Sequence, residues 1–116
     1  MEELLADDYI DHDPTPGFGP DKQAAKNLAA AVTSGMKDGR LTISDVLVEG
    51  DRAAAHWTHT WTQIGDFLGR FPADGRQLHL RGHDFFRLRQ GRIAEIWHCE
   101  DLMGVLGQLG VLSGPG

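Results

Sequence analysis

Between Leu41 and Glu100 the chain is a run of strand patterns joined by turns, and that run constrains the fold more than any other feature. Leu41–Glu49 alternates in part, with Ile43 and Val46-Leu47-Val48 apolar. Gly50-Asp51 is a hairpin signal. Arg52–Ile64 is a long strand rich in Trp and Thr. Arg76–Arg89 is another, with a bulge expected at Gly82. Gln90-Gly91 turns the chain into a last strand over Arg92–Glu100. Gly65–Gly75, which holds Gly69 and Pro72, reads as a loop. Helical signals flank the run. Glu2–Ala6 reads as a short helical turn, and Pro14, Pro16, Gly17, Gly19 and Pro20 as a rigid loop. Asp21 is a good N-cap for a helix over Asp21–Met36, where Ala24, Ala25, Leu28, Ala31 and Val32 recur at helical spacing. Asp101 opens a closing helix to about Leu109, and Ser113–Gly116 is expected to fray. Helices, then a strand meander, then a helix predict an α+β fold with a mostly antiparallel sheet.

At 116 residues the chain is expected to form a single domain over residues 1–116. Eleven Lys and Arg against seventeen Asp and Glu leave a net charge of −6. Such a surface repels phosphate backbones, so neither nucleic acid nor anionic membrane is expected as a partner. One cysteine, Cys99, rules out an intrachain disulfide and fits a reducing compartment. With no long apolar run and an acidic start at Met1–Asp8, a cytoplasmic protein is expected.

Strand alternation sorts the chemistry-bearing residues. Ala55, Trp57, His59, Trp61 and Gln63 share one face of their strand and are expected inside. Ile93, Glu95, Trp97, Cys99 and Asp101 share a face of the last strand, also read as interior. His79, Arg81, His83, Phe85 and Arg87 oppose Leu78, Leu80, Gly82, Asp84, Phe86 and Leu88. Asp101 has two readings that are compatible: N-cap of the closing helix, or a carboxylate at the sheet end dried by Trp61 and Trp97 until its pKa rises. His56 and His59 point to opposite faces, and His79 and His83 lie ~13 Å apart along a strand. Neither pair chelates, so no metal is expected.

Gly91-Arg92-Ile93-Ala94-Glu95-Ile96-Trp97-His98-Cys99-Glu100-Asp101, followed by Gly104-Val105-Leu106-Gly107-Gln108-Leu109-Gly110, closely resembles the C-terminal signature of SnoaL-like polyketide cyclases. Tyr9-Ile10-Asp11-His12-Asp13-Pro14 is similar to that family's opening motif. Gly50-Asp51-Arg52 with Trp57 resembles its first long hairpin. Gly65-Asp66-Phe67-Leu68-Gly69 with Pro72 and Gly75-Arg76 resembles its connecting loop. The resemblance implies the cystatin-like, nuclear transport factor two-like fold: a curved, cone-shaped, mostly antiparallel sheet packed on helices around an apolar pocket. It also implies a homodimer formed through the sheet. Family members usually carry a further helix before the segment matching Leu4–Asp8. Its absence is expected to expose apolar surface unless a partner covers it.

The resemblance further implies intramolecular aldol cyclisation of an aromatic polyketide or related apolar substrate, without cofactor. On this reading the catalytic residues are Asp101 as acid and base, His83 as its assistant and His12 at the pocket mouth. His79 is the second choice for the assisting histidine. Trp57, Trp61, Phe85 and Trp97 are expected to wall a small apolar or polycyclic ligand, with His59, His79 and Glu95 completing the lining. Two other readings share the fold. One is an epoxide hydrolase or ketosteroid isomerase type; for the hydrolase, Arg81, Asp84 and Asp101 would form the Asp–Arg–Asp arrangement that activates water. The other is a non-catalytic apolar ligand-binding or assembly module.

Overall fold

The computed structural model describes residues 2–65 and 75–110. Five strands and two helices follow one another as β1 Leu5–Asp11, α1 Lys22–Thr33, β2 Met36–Glu49, β3 Arg52–Gln63, β4 Gln77–Arg89, β5 Arg92–Glu100 and α2 Leu102–Gln108. They form one curved sheet in the order β1-β5-β4-β3-β2. β2 to β5 are an antiparallel meander, and β1 joins β5 in parallel. The Gln90-Gly91 turn has both residues at positive φ (53° and 77°), as a two-residue hairpin requires. Asp21 caps α1 by accepting from the Ala24 N–H at 3.1 Å, as the sequence predicts.

Register fixes the two faces, because residues directly opposite on antiparallel strands point the same way. Trp61 lies opposite Leu78, and both are closed to solvent with Val105 of α2. Met36, Leu80 and Leu109 pack against this cluster. The face that α2 covers is therefore the inner one, and β3 presents Ala53, Ala55, Trp57, His59, Trp61 and Gln63 to it, matching the parity argument. β4 adds Leu78, Leu80, Gly82, Asp84 and Phe86, and β5 adds Ile96, His98 and Glu100. On β2, Leu41, Ile43, Val46 and Val48 stand opposite His59, Trp57, Ala55 and Ala53, so they share this face, and all four are exposed.

Four expectations are corrected. The turn expected over Glu2–Ala6 holds only for Glu2–Leu4: from Leu5 the chain is strand. A five-residue segment cannot nucleate a helix by itself, whereas the free edge of β5 offers backbone partners. The first helix stops at Thr33, and Met36 already belongs to β2, because the Gly35 carbonyl accepts from the Ile64 and Gly65 N–H groups. β4 runs without a bulge through Gly82 against both neighbours. On β5 the interior parity is the opposite of the one expected: His98 and Glu100 face inward, whereas Glu95, Trp97, Cys99 and Asp101 face outward. The expectations for residues 66–74 of the connecting loop and for Ser113–Gly116 fall outside the described residues. No helix among the described residues is long and apolar enough to cross a membrane.

Candidate active site

The inner face carries a polar cluster in which β1, β4 and β5 each contribute acids. Parallel pairing aligns Asp11 with Ile96, so its side chain enters the inner face beside His98. Both Asp11 carboxylate oxygens accept from His98 Nε2 at 2.9 Å, and Glu100 Oε1 accepts from Nδ1. The Asp11 and His98 side chains are only 14% and 12% exposed. Carboxylates accept and do not donate, so an imidazole bonded at both nitrogens to carboxylates must carry both protons. Its pKa is accordingly raised to about 9, first by the bond to Glu100 and then by Asp11, against the opposing effect of burial. Asp13 fixes the strand by accepting from the His98 backbone N–H at 2.9 Å.

Asp84 stands directly across from His98. Burial pushes its carboxyl above the usual range; a hydrogen bond from Trp57 is the main opposing effect, the charges of Glu100 and Asp11 add to the rise, and the His98 cation opposes it. Tyr9 is buried, and desolvation with the nearby Asp11 and Asp84 charges keeps its phenol protonated. Trp57 lies flat across Gly82: a Cβ there would fall 2.2 Å from the indole Cζ2 and 2.5 Å from Cε2. The indole N–H is closed to solvent, and the Trp57 side chain acts as a hydrogen-bond donor toward the Asp84 carboxyl. Gly82→Ala is expected to drive the indole off the sheet, at about 1–3 kcal/mol of stability, because neither the backbone nor the ring can yield 1 Å cheaply. Urea denaturation checks this; an unchanged midpoint with an unmoved Trp57 fluorescence spectrum counts against the placement.

The residues singled out from sequence divide between the faces. Trp57 and His59 lie inside, where burial pushes the His59 imidazole down. Trp61 is core: it is wholly buried and donates to Gln63 Oε1 at 2.8 Å. Asp101 and His83 do come together, with His56, Arg81 and Cys99, along an outer groove of about 410 Å³. The surroundings of Asp101 are the opposite of a dry hollow. Its side chain is 41% exposed, accepts from the Gly104 N–H at 3.0 Å and pairs with Arg81 at 3.3 Å. The Gly104 bond, then Arg81, hold its carboxyl below the ordinary range. The N-cap reading therefore describes it, and the expected rise in its pKa is corrected. Trp61 and Trp97 lie on opposite faces and cannot jointly dry it.

His83 stacks on His56 with ring centres 4.6 Å apart, and His79 is exposed near Gln108 of α2. His12 stacks on Trp97 at 4.4 Å and bonds Glu95 at 3.0 Å, while Phe85 meets Trp97 edge-on. These groups, with the Arg87–Glu95 pair, cover the outer face and line no inner pocket. Arg81 and Asp101 also lie outside while Asp84 lies inside, so the three do not assemble an Asp–Arg–Asp unit. Sequence reading missed Asp11, His98 and Glu100. The signal available was the pairing of Asp11-His12-Asp13 with Trp97-His98, which becomes visible only when the first segment is read as a strand.

A curved, mostly antiparallel five-strand sheet with two helices is the architecture of nuclear transport factor two-like proteins. The chain belongs to the SnoaL-like polyketide cyclase family, whose model matches residues 1–109. TsrD from Streptomyces laurentii is 32% identical, with a TM-score of 0.85 over 96% of this chain and 81% of that one. IdmH from Streptomyces antibioticus, provisionally assigned as a polyketide cyclase, is 28% identical, with a TM-score of 0.79 over 93% and 83%. AclR from Streptomyces galilaeus, provisionally assigned as a hydroxylase, shares the fold at 21% identity, with a TM-score of 0.81 over 94% and 80%. No curated protein matches the sequence.

Proposed function

We propose that this chain closes a ring in a polyketide-type ketone by cofactor-independent intramolecular aldol addition, with Asp84 moving the proton. The observation that carries the reading is the Asp84 carboxyl on the inner face, raised in pKa by burial and by neighbouring acids. A base poised in this way is matched to abstraction of a proton next to a carbonyl. The family membership and the IdmH likeness support the reaction class. Asp84 takes the proton from the carbon alpha to one carbonyl. The resulting enolate carbon attacks a second carbonyl of the same molecule and forms the carbon–carbon bond. The new alkoxide then recovers the proton from Asp84. Nothing is gained or lost, so the product is an isomer of the substrate. The His98 cation touches no reacting atom; it offsets the Asp11 and Glu100 charges so that Asp84 can still ionise. Acid–base help of this kind supplies ~10²–10⁴-fold, and holding both ends of one chain together supplies more.

The test is incubation in D₂O with aromatic ketones bearing a β-dicarbonyl side chain. The expected results are deuterium exchange at the alpha carbon and a ring-closed isomer resolved by chromatography. No exchange and no isomer across such a series would overturn the reading.

We also propose that two copies pair through the outer face of the sheet. Leu47, Ala54, Phe85 and Trp97 lie in one cross-strand row there, and Leu47 and Phe85 are exposed. Light scattering is expected to give twice the 12.7 kDa chain mass, falling to the monomer in Leu47→Glu. A monomer at every concentration contradicts the pairing.

A further inference from the structure

We infer that His56 and His83 together chelate a zinc-like divalent cation on the outer face of the sheet, away from the Asp84 site. Spacing along the chain does not suggest the pair, because the two residues lie on different strands. Register does. Asp45, His56, His83 and Cys99 stand directly opposite one another on β2, β3, β4 and β5, one side chain from each strand on the same face. Cβ atoms so paired lie ~4.5–5.5 Å apart, close enough for one ion to take a ligand from each of two strands. The two imidazoles in the middle of the row stack, with ring centres 4.6 Å apart and planes 12° from parallel. Two nitrogens on one tetrahedral zinc stand ~3.3 Å apart, given zinc–nitrogen bonds of ~2.0–2.1 Å. The rings therefore need to close by about 1 Å, which rotation about their side-chain bonds supplies without moving the backbone.

The surroundings favour a cation and select its class. The pair lines the outer groove of about 410 Å³ with Arg81, Cys99 and Asp101, and His83 is exposed while His56 is partly so. Arg81 pairs with Asp101 at 3.3 Å, so its charge is offset. Asp45 Oδ2 lies 3.8 Å from His56 Nδ1. A carboxylate on that side holds the ring proton at Nδ1 and leaves Nε2 for a metal, the usual outer-shell arrangement of a ligating histidine. Among the described residues no three acids, histidines or cysteines converge on one centre. The chelate is therefore two-toothed, with water completing the shell, and Cys99 is a neighbour of the site and not a ligand. Imidazole selects zinc, nickel or copper over magnesium and calcium, which prefer oxygen. His98 offers no rival site, because carboxylates hold protons on both its nitrogens. The row lies two residues nearer α2 than Leu47, Ala54, Phe85 and Trp97, so the metal and the proposed pairing surface occupy adjacent strips.

The experiment titrates the full chain, labelled with ¹⁵N at histidine, with zinc chloride and follows the imidazole ring nitrogens by NMR. His56→Asn and His83→Asn assign the signals. Saturation is expected at one zinc per chain, with one ring nitrogen moving in each of His56 and His83 while the His98 signals stay in place. Zinc is also expected to raise the melting midpoint of the wild type, because it binds only the folded chain. Both asparagine variants should melt like the wild type without zinc, since both rings reach solvent, and should lose the saturable binding and the zinc-induced rise. Cys99→Ser should keep them. Absence of saturation, movement of His12 or His98 in place of His56 and His83, undiminished binding in either asparagine variant, or binding lost only in Cys99→Ser would each overturn the inference. Turnover is not measured, so the outcome stands apart from the aldol reading.

Discussion

Asp84→Asn is expected to lower kcat on a competent ketone by ~10²–10⁴-fold while leaving the fold as stable as the wild type or more so. The two effects share one cause. A carboxyl whose pKa is raised in the folded state opposes folding at any pH where the unfolded chain ionises it. An amide of the same size removes that opposition together with the base. Asp101→Asn is the matching control. Asn caps helices as well as Asp does, and the Arg81 partner is largely in solvent, so turnover is expected to stay within a few-fold of wild type. Steady-state kinetics with thermal melts on both variants decide the matter. If Asp101→Asn were the inactive variant and Asp84→Asn the active one, the site would lie on the outer face. The wild-type kcat/KM should rise with pH through a titration displaced above the ordinary carboxylate range, because the base must be ionised to work.

The second large effect concerns His98. Its folded pKa of about 9 lies above the ordinary 6.5, so its ion pairs stabilise the native state fully below pH 6.5. That contribution fades as pH climbs through about 9. With partial solvent screening the loss is on the order of 2 kcal/mol, large enough to lower the wild-type melting midpoint measurably between pH 6.5 and 9.5. His98→Gln leaves Asp11 and Glu100 facing each other without a cation and should destabilise by about 2–4 kcal/mol. It should also abolish the alkaline drop. In the same variant Asp84 loses the neighbour that favours its ionised form, so the acid limb of kcat/KM moves to higher pH. A His98→Gln protein with the wild-type pH dependence of both stability and rate would mean that His98 is not held as a cation.

Much of the architecture could be read from residue order because the relevant physics is local. Gly50-Asp51 and Gln90-Gly91 dictate turns, Asp21 and Asp101 cap helices, and strict alternation on β3 assigns Trp57 and Trp61 to the interior. The site was less accessible because it depends on register between distant segments. On β5 both parities hold aromatic, apolar and charged residues, so Trp97 suggested an interior face that the structure gives to Ile96, His98 and Glu100. The family signature placed Asp101 at the strand end, but whether a carboxylate there faces a hollow or a helix N-terminus is settled by the direction of one side chain. β1 escaped notice because Asp7 and Asp8 interrupt its pattern and its partner, β5, lies at the far end of the sequence.

That last arrangement has a consequence for how the protein comes into being. The His98 ring is joined to Asp11 across 87 positions of chain, and the first strand has no bed to lie in until the fifth has emerged. Loop closure over such a span is slow relative to hairpin formation. During synthesis the meander can therefore form early and bring Asp84 and His98 side by side, while the Asp11 partner of His98 arrives only when β1 docks on β5.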